Sequence, residues 1–344
     1  MKYLKLIVLI ITLGLTQLSV SQSSQQLPKG TKENYTKYID YSISDEFNGK
    51  GLDLTKWGRR NTGGYMVERY HADSTLVVME QDGDAKYVSI KASAKDGPIR
   101  TAGIVSRASG YYGFYVVKFR YRGFDSDDVR TNKSIWHPSV WSGCQDNIDG
   151  VKRTTVKGKS PWLEIDFMEW ETGPNGWSCD APARFTDSKG KKRKVITKGP
   201  GLEKAILNEP VNIMDDRWQT IGLEYSPDHL KIWAWDGNNW NHIGERVATF
   251  VDVDEAAPEK SYTISTIGKP ARTPMFWLLG NVVSRYLYPK IEDGTSKYNK
   301  DDLAVDFDYF RYYRHASAEK LDWSWENELP NGGGKIQKQK CPVK

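Results

Sequence analysis

Short runs of β-branched and aromatic residues, cut by turn clusters, constrain this chain more than any other feature. The runs 76–79, 87–92, 112–121, 163–170, 218–224, 230–235 and 305–313 are rich in Val, Ile, Phe, Tyr and Trp. Between and around them stand turn dipeptides and tripeptides such as Asp82-Gly83, Asp96-Gly97-Pro98, Ser226-Pro227-Asp228 and Asp236-Gly237-Asn238. Several runs alternate, as in Lys118-Phe119-Arg120-Tyr121-Arg122 and Asp306-Phe307-Asp308-Tyr309, the pattern of a sheet with one packed and one wet face. No apolar stripe at helical spacing exceeds about two turns, the longest being a weak one at 201–207. The expectation is an all-β chain: a sandwich of two antiparallel sheets in one domain spanning 38–316.

The ends read differently. Lys2 and Lys5 precede an apolar run at 6–18, and small residues follow at Ser19 and Ser21. Residues 1–21 therefore read as a secretory signal peptide, the apolar run itself being too short for a usual membrane span. Its removal takes away two lysines and no acid, so the formal charge of +5 falls by two and stays mildly basic. No later segment is long and apolar enough to span a membrane, so the protein is expected to be secreted. Residues 22–37 are polar and read as an N-terminal tail, and 317–344, with a glycine run and several lysines, as a C-terminal extension and flexible tail.

Composition removes other classes. Three cysteines in 344 residues cannot build a disulfide scaffold. They allow at most one internal pair, for which Cys144 and Cys179 are favoured because they flank the acidic segment below. The five histidines show no metal-ligand spacing, and there is no Walker or GxGxxG motif, so neither catalytic metal nor nucleic-acid partner is expected. Aromatic residues make up 12% of the chain, including 13 Trp, enough to supply a core and still leave indole faces for a flat ligand. The basic run at 189–198 reads as a solvated hairpin or as a contact for an anion.

Chemistry concentrates in Trp162-Leu163-Glu164-Ile165-Asp166-Phe167-Met168-Glu169-Trp170, three carboxylates in an otherwise apolar strand. Residues two apart share a strand face, so Glu164 and Asp166 point one way while Ile165 and Phe167 point the other. Glu169, five residues from Glu164, falls on the wrong face unless a β-bulge intervenes between Asp166 and Glu169. With that bulge, two inward-leaning Glu side chains come within roughly 5–5.5 Å, the carboxyl separation of a retaining glycosidase. Three acids on one concave face repel one another and are costly without a function.

This run resembles the E-x-D-x-x-E signature of glycoside hydrolase family 16. Residues 44–48 with 52–57, 106–115, 218–225 with 233–237, and 305–313 resemble family strands in the same order, so the resemblance covers most of the chain. It implies a β-jelly-roll sandwich with a concave carbohydrate cleft and a retaining mechanism. Glu164 would be the nucleophile, Glu169 the acid/base and Asp166 the residue assisting the nucleophile. Trp141 falls where the family places an indole under the sugar. Trp136, Trp170 and Trp177 are further candidates for stacking, whereas Trp57 reads as core.

In that family the bulged form is typical of enzymes acting on marine galactans and β-1,3-glucans. Two positions depart from the pattern. Val116 and Lys118 stand where the family has Glu and Arg, and no His follows Glu169 before His229, where Arg184 occupies the neighbourhood. An Arg fork suits sulfate or carboxylate. With Arg59, Arg60, Arg69, Arg107 and the basic run, it points to an anionic polysaccharide, a carrageenan-type sulfated galactan ahead of porphyran, agar or laminarin. No cofactor is implied for catalysis, but the resemblance implies a structural calcium ion near Glu46, Gly83 and Asp308. The protein is expected to act as a monomer. The contrasting reading is a non-catalytic carbohydrate-binding relative, against which both catalytic Glu residues stand.

Overall fold

The computed structural model describes residues 27–29, 31, 35, 39–60, 74–92, 100–110, 112–122, 136–154, 162–170, 177–178, 180–186, 192–198, 217–226, 229–247, 275–283 and 303–316. The expected signal peptide, the helical stripe at 201–207 and the C-terminal extension beyond residue 316 lie outside these residues. Among the described residues no helix is long and apolar enough to cross a membrane.

Seventeen strands are described: β1 (Trp57–Arg59), β2 (Val77–Asp82), β3 (Ala85–Ala92), β4 (Ala102–Ser106), β5 (Gly113–Arg122), β6 (Trp136–Gly143), β7 (Gln145–Ile148), β8 (Val151–Thr154), β9 (Trp162–Trp170), β10 (Trp177–Ser178), β11 (Asp180–Thr186), β12 (Lys192–Lys198), β13 (Gln219–Tyr225), β14 (His229–Trp235), β15 (Trp240–Val247), β16 (Phe276–Val283) and β17 (Leu303–Arg314). Every run expected from the sequence is a strand. One sheet runs β1-β4-β16-β6-β9-β11-β12, with β10 also on β9, and the other runs β15-β14-β13-β5-β17-β3-β2. All the described pairings are antiparallel, and beside sequential hairpins such as β13–β14 and β2–β3 many neighbours in space, such as β5 with β13 and β17 or β16 with β4 and β6, are far apart in sequence, as in a jelly roll.

The core lies between the sheets. The second sheet contributes Tyr115, Val117, Phe119, Tyr121, Phe307 and Phe310, all buried, and the first contributes Ile104, Val140, Ile165, Phe167, Trp277 and Leu279. Trp57 is wholly buried against Phe47 and Phe310, and its indole N–H donates to Asp45 Oδ2 at 2.9 Å. An indole N–H in a core needs such a partner, and Asp45 supplies it. Burial pushes the Asp45 carboxyl above its ordinary range, against the pull of the Phe47 N–H and of Lys56.

The alternation expected across Asp306–Tyr309 breaks once. The register slips between Phe307 and Tyr309, so Asp308 is an extra residue and Tyr309 moves to the outer face. That outer face is not wholly wet. Leu27 and Tyr35 pack there with Phe114, Val116, Tyr309 and Tyr313. The stretch 22–37, read as a polar tail, is thus anchored at two points, because isolated apolar residues in it find a sheet face to cover. At Gly222 a side chain would collide with the Phe114 and Trp240 rings, so the close approach of β13 to this cluster requires glycine.

Beside this cluster Asp306, fully buried, accepts from Arg120 Nε at 2.9 Å and from Arg122 Nε at 2.6 Å. Asp308 instead pairs with Lys118 where both are partly exposed. Removing the acid of a buried pair strands its partners, whereas exposed pairs contribute little. Asp306→Ala should therefore destabilise the fold by about 3 kcal/mol, and Asp308→Ala by about 1 kcal/mol or less, measured by urea unfolding. Equal losses would contradict this account of the outer face.

Candidate active site

The acidic strand β9 contains the expected bulge. Glu164 stands opposite Gly143 of β6, Asp166 opposite Trp141, and Glu169 opposite Ser139, with the register shift leaving Phe167 as the extra residue. Phe167 and Met168 are consecutive, yet both are buried in the core. Phe167 lies edge-on to Trp277 at 6.3 Å, and Met168 Sδ accepts from the Tyr121 hydroxyl at 3.1 Å. Two successive inward side chains reset the alternation, and Glu169 returns to the face of Glu164 and Asp166. Asp166 is buried at 3% exposure, while Glu164 and Glu169 are half-buried.

Register carries this face across the sheet. From Glu164 through Gly143 it passes to Phe276 and Leu278 of β16, then to Val105 of β4 and Gly58 of β1. Trp141 belongs to it and packs against a buried cluster of Val105, Ile148, Phe276 and Leu278. The Arg60 guanidinium lies over the Trp141 ring, 4.6 Å from its centroid. Trp141 thus stands on the carboxylate face, with Arg60, one of the arginines grouped above for an anionic chain, over its ring.

His137 is a residue that the sequence reading missed. It lies two positions before Ser139 on β6, hence on the carboxylate face, and its Nε2 is 3.4 Å from Glu169 Oε1. Stepping back by twos from Trp141 would have found it, since positions 139 and 137 share the face of 141.

Other expected site residues are placed differently. Arg59 pairs with Ile104 on the face opposite the carboxylates, one residue out of phase with Gly58. Arg107 donates to the Leu54 carbonyl at 2.7 Å and pairs with Asp149, so it is engaged in holding the chain together. Neither is presented to a sugar over β9. Alternation gives Trp136, Trp170 and Trp177 register positions opposite the carboxylate face, Trp177 pairing with Trp170 and Ser178 with Glu169. Arg184 pairs with Trp162 on one side and Lys194 on the other, register positions on the carboxylate face. The basic run expected as a hairpin forms its second strand, β12, against β11. Cys144 is buried at the end of β6, and Cys179 lies outside the described residues.

The residues suggested for calcium do not fit the ion. Both Glu46 carboxylate oxygens accept from Arg311, at 2.9 and 2.6 Å. Asp308 pairs with Lys118, and the Gly83 carbonyl accepts from Gln81 Nε2 at 2.7 Å. A calcium site needs six to eight converging oxygens, and these oxygens already face donors of the chain itself. Among the described residues no cluster of three or more His, Cys, Asp or Glu is arranged to hold a metal ion.

No protein-family model matches the chain, and no curated protein matches it in sequence. Solved structures do match it in fold. A kappa-carrageenase from Pseudoalteromonas carrageenovora, in complex with a kappa-carrageenan oligosaccharide, superposes with a TM-score of 0.55 at 15% identity, covering 85% of this chain and 100% of that one. A beta-porphyranase from Bacteroides plebeius gives 0.53 at 14% identity, covering 84% and 95%. A family 16 endo-glucanase from Bacteroides ovatus gives 0.52 at 17% identity, covering 78% and 98%. The bulged acidic strand at the centre of one sheet therefore sits in the β-jelly-roll fold of the family 16 glycoside hydrolases.

Proposed function

We propose that the chain is a secreted, retaining endo-glycoside hydrolase that cleaves β-1,4 linkages of a sulfated red-algal galactan of the carrageenan or furcellaran type. One observation carries the hydrolase reading: a bulge returns Glu169 to the face of Glu164 and Asp166 on a strand otherwise buried in the core. Neighbours in fold that degrade glycans support it.

In this reading Glu169, protonated, donates to the glycosidic oxygen while Glu164 attacks the anomeric carbon. A glycosyl–Glu164 ester forms and the leaving chain departs. Glu169, now ionised, takes a proton from water, and the hydroxide oxygen displaces Glu164 with net retention. Asp166, between them on the same face, assists the nucleophile. His137 beside Glu169 holds that carboxyl in place.

The sulfated substrate rests on charge. Arg184, Lys194, Lys192 and Lys198 occupy register positions on the carboxylate face of β11 and β12, two strands along from β6. A guanidinium and three ammonium groups there suit a chain bearing sulfate esters. Porphyran and agarose are the alternatives closest in chemistry.

Glu164→Gln should abolish all but a small residue of turnover and leave binding largely intact. Retention of more than about a tenth of wild-type activity, a loss under roughly 1.4 kcal/mol, would exclude Glu164 as nucleophile. Glu169→Ala should regain activity with azide, which attacks the ester without a base, and the azide product should retain the anomeric configuration.

The charge reading predicts that kcat/KM falls on chemically desulfated galactan, measured by a reducing-sugar assay across carrageenans, agarose, porphyran and glucans. Arg184→Ala should lose about 1.5–3 kcal/mol of transition-state binding on the sulfated chain and little on the desulfated one. A wild-type response of this variant on every substrate would remove the sulfated-galactan reading and leave the hydrolase intact.

A further inference from the structure

The β7–β8 hairpin has no role in the chemistry above, yet it lies against the carboxylate face of the sheet. Its two-residue turn is Asp149-Gly150, both with positive φ (51° and 81°), the geometry that matches the twist of a tight hairpin. The tip is fastened to β1 by backbone: Asp149 N–H donates to the Arg59 carbonyl and Arg59 N–H to Asp149 Oδ1, each at 2.8 Å. Two ion pairs add to this, Arg107 with Asp149 and Arg60 with Asp146.

Between these latches Ile148 presses down on β1. A Cβ at Gly58 would overlap Ile148 Cγ2, so the contact is made against bare backbone and only glycine permits it. Ile148 is 2% exposed and shares its cluster with Val105, Phe276 and Leu278, which register places on the same face as Glu164. Those three residues would line the floor of any groove that continued from β6 across β16 and β4. Their exposures are 0, 3 and 1%, so the floor is covered there. Trp141, packed at the border of the cluster, is the last partly exposed residue of this face before the covered strip.

We propose that the β7–β8 hairpin is the end wall of the glycan groove. It stops bound sugar at Trp141 and confines the remainder to the side of β9, β11 and β12. Strands lie about 4.8 Å apart, so β16, β4 and β1 together withhold about 14 Å of sheet width that would otherwise hold further sugar rings. The wall therefore sets how many sugars are held on one side of the cleavage point. It would also set the length of the products. This inference rests on the glycan-hydrolase reading but not on the identity of the glycan.

The test measures affinity against ligand length. In a Glu164→Gln background, oligosaccharides of increasing length from carrageenan, porphyran, agarose and mixed-linkage glucan are titrated calorimetrically. Two forms are compared, the intact hairpin and one with 145–154 replaced by a short Gly-Ser link. With the hairpin intact, affinity should stop rising at a short length. Without it, the plateau should move outward by one to two rings, with an affinity gain of about tenfold for the longest ligands. An unmoved plateau in a folded variant that still binds would overturn the wall. Binding of no glycan by either form would overturn the glycan reading itself, and the wall with it. Should the deletion fail to fold, Asp146→Ala with Asp149→Ala, which cuts both ion-pair latches and leaves the apolar contact, carries the same expectation of longer ligands and longer products. An unmoved plateau and product profile in that double variant, folded and with its hairpin detached by amide exchange, would equally overturn the wall.

Discussion

The extra residue in β9 is the constraint on which the site depends. A strand can display three carboxylates on one face at positions i, i+2 and i+4, but not at i, i+2 and i+5. Inserting Phe167 leaves one residue outside the ladder with β6 and weakens the pairing locally. The core offsets that loss. Phe167 reaches Trp277 of β16, two strands away in the same sheet, and Met168 reaches the Tyr121 hydroxyl of the opposite sheet. Both side chains are fully buried, each contributing on the order of 2 kcal/mol of apolar burial. The bulge is thus held from behind by ordinary packing, which leaves the front face free for charged groups that could not hold it themselves.

How much of this was legible in sequence follows from period and from distance. The bulge was readable, because the apolar residues at 165, 167 and 168 can all be inward only if the alternation slips once. The strands with clean alternation or dense β-branched runs were readable too. β6, β16 and the hairpin were not picked out, although each has a local signal: Asp149-Gly150 between alternating residues is a turn dipeptide, and Trp141 lies two steps from Ser139 and four from His137. What no local pattern carries is which strands become neighbours. His137 meets Glu169, and Arg60 meets Trp141, only because β6 pairs with β9 and the hairpin curls over β1. Arg59 illustrates the converse. It was grouped with Arg60 and Arg107 by charge alone, and a single step of alternation puts it on the face opposite to Arg60, which lies over Trp141.

Charge is partitioned between the two sheets by what surrounds it. On the outer face of the second sheet, acids and bases satisfy one another: Asp306 with Arg120 and Arg122, and Glu46 with Arg311. The Glu46 pair occupies both of the carboxylate oxygens that this residue would have offered to calcium. On the carboxylate face the acids stand together on β9, and the basic register positions lie on the separate strands β11 and β12. Charge of one sign gathered in this way repels itself, a cost that the pairs on the outer face of the other sheet avoid.

The latches of the hairpin follow a third rule. Asp146 is almost completely buried, and burial raises its carboxyl above the ordinary range, with Arg60 and the Asn147 N–H only partly opposing this. A carboxyl whose folded-state pKa stands above its unfolded value favours the fold while protonated, at acid pH. That advantage is lost as pH rises through the folded-state value. At neutral pH the ionised Asp146–Arg60 pair is therefore maintained against a desolvation cost, and an apolar pair of the same volume would serve stability at least as well. What an apolar pair could not do is fix the Arg60 guanidinium over the Trp141 ring. The fork of Arg60 is oriented from one side by Asp146 and shielded from the other by the indole, so Trp141 is kept in one orientation at the border of the open groove. The polar latch thus transmits the position of the hairpin to Trp141, the residue opposite Asp166, so that in the proposed hydrolase the end wall and the carboxylates would share one support.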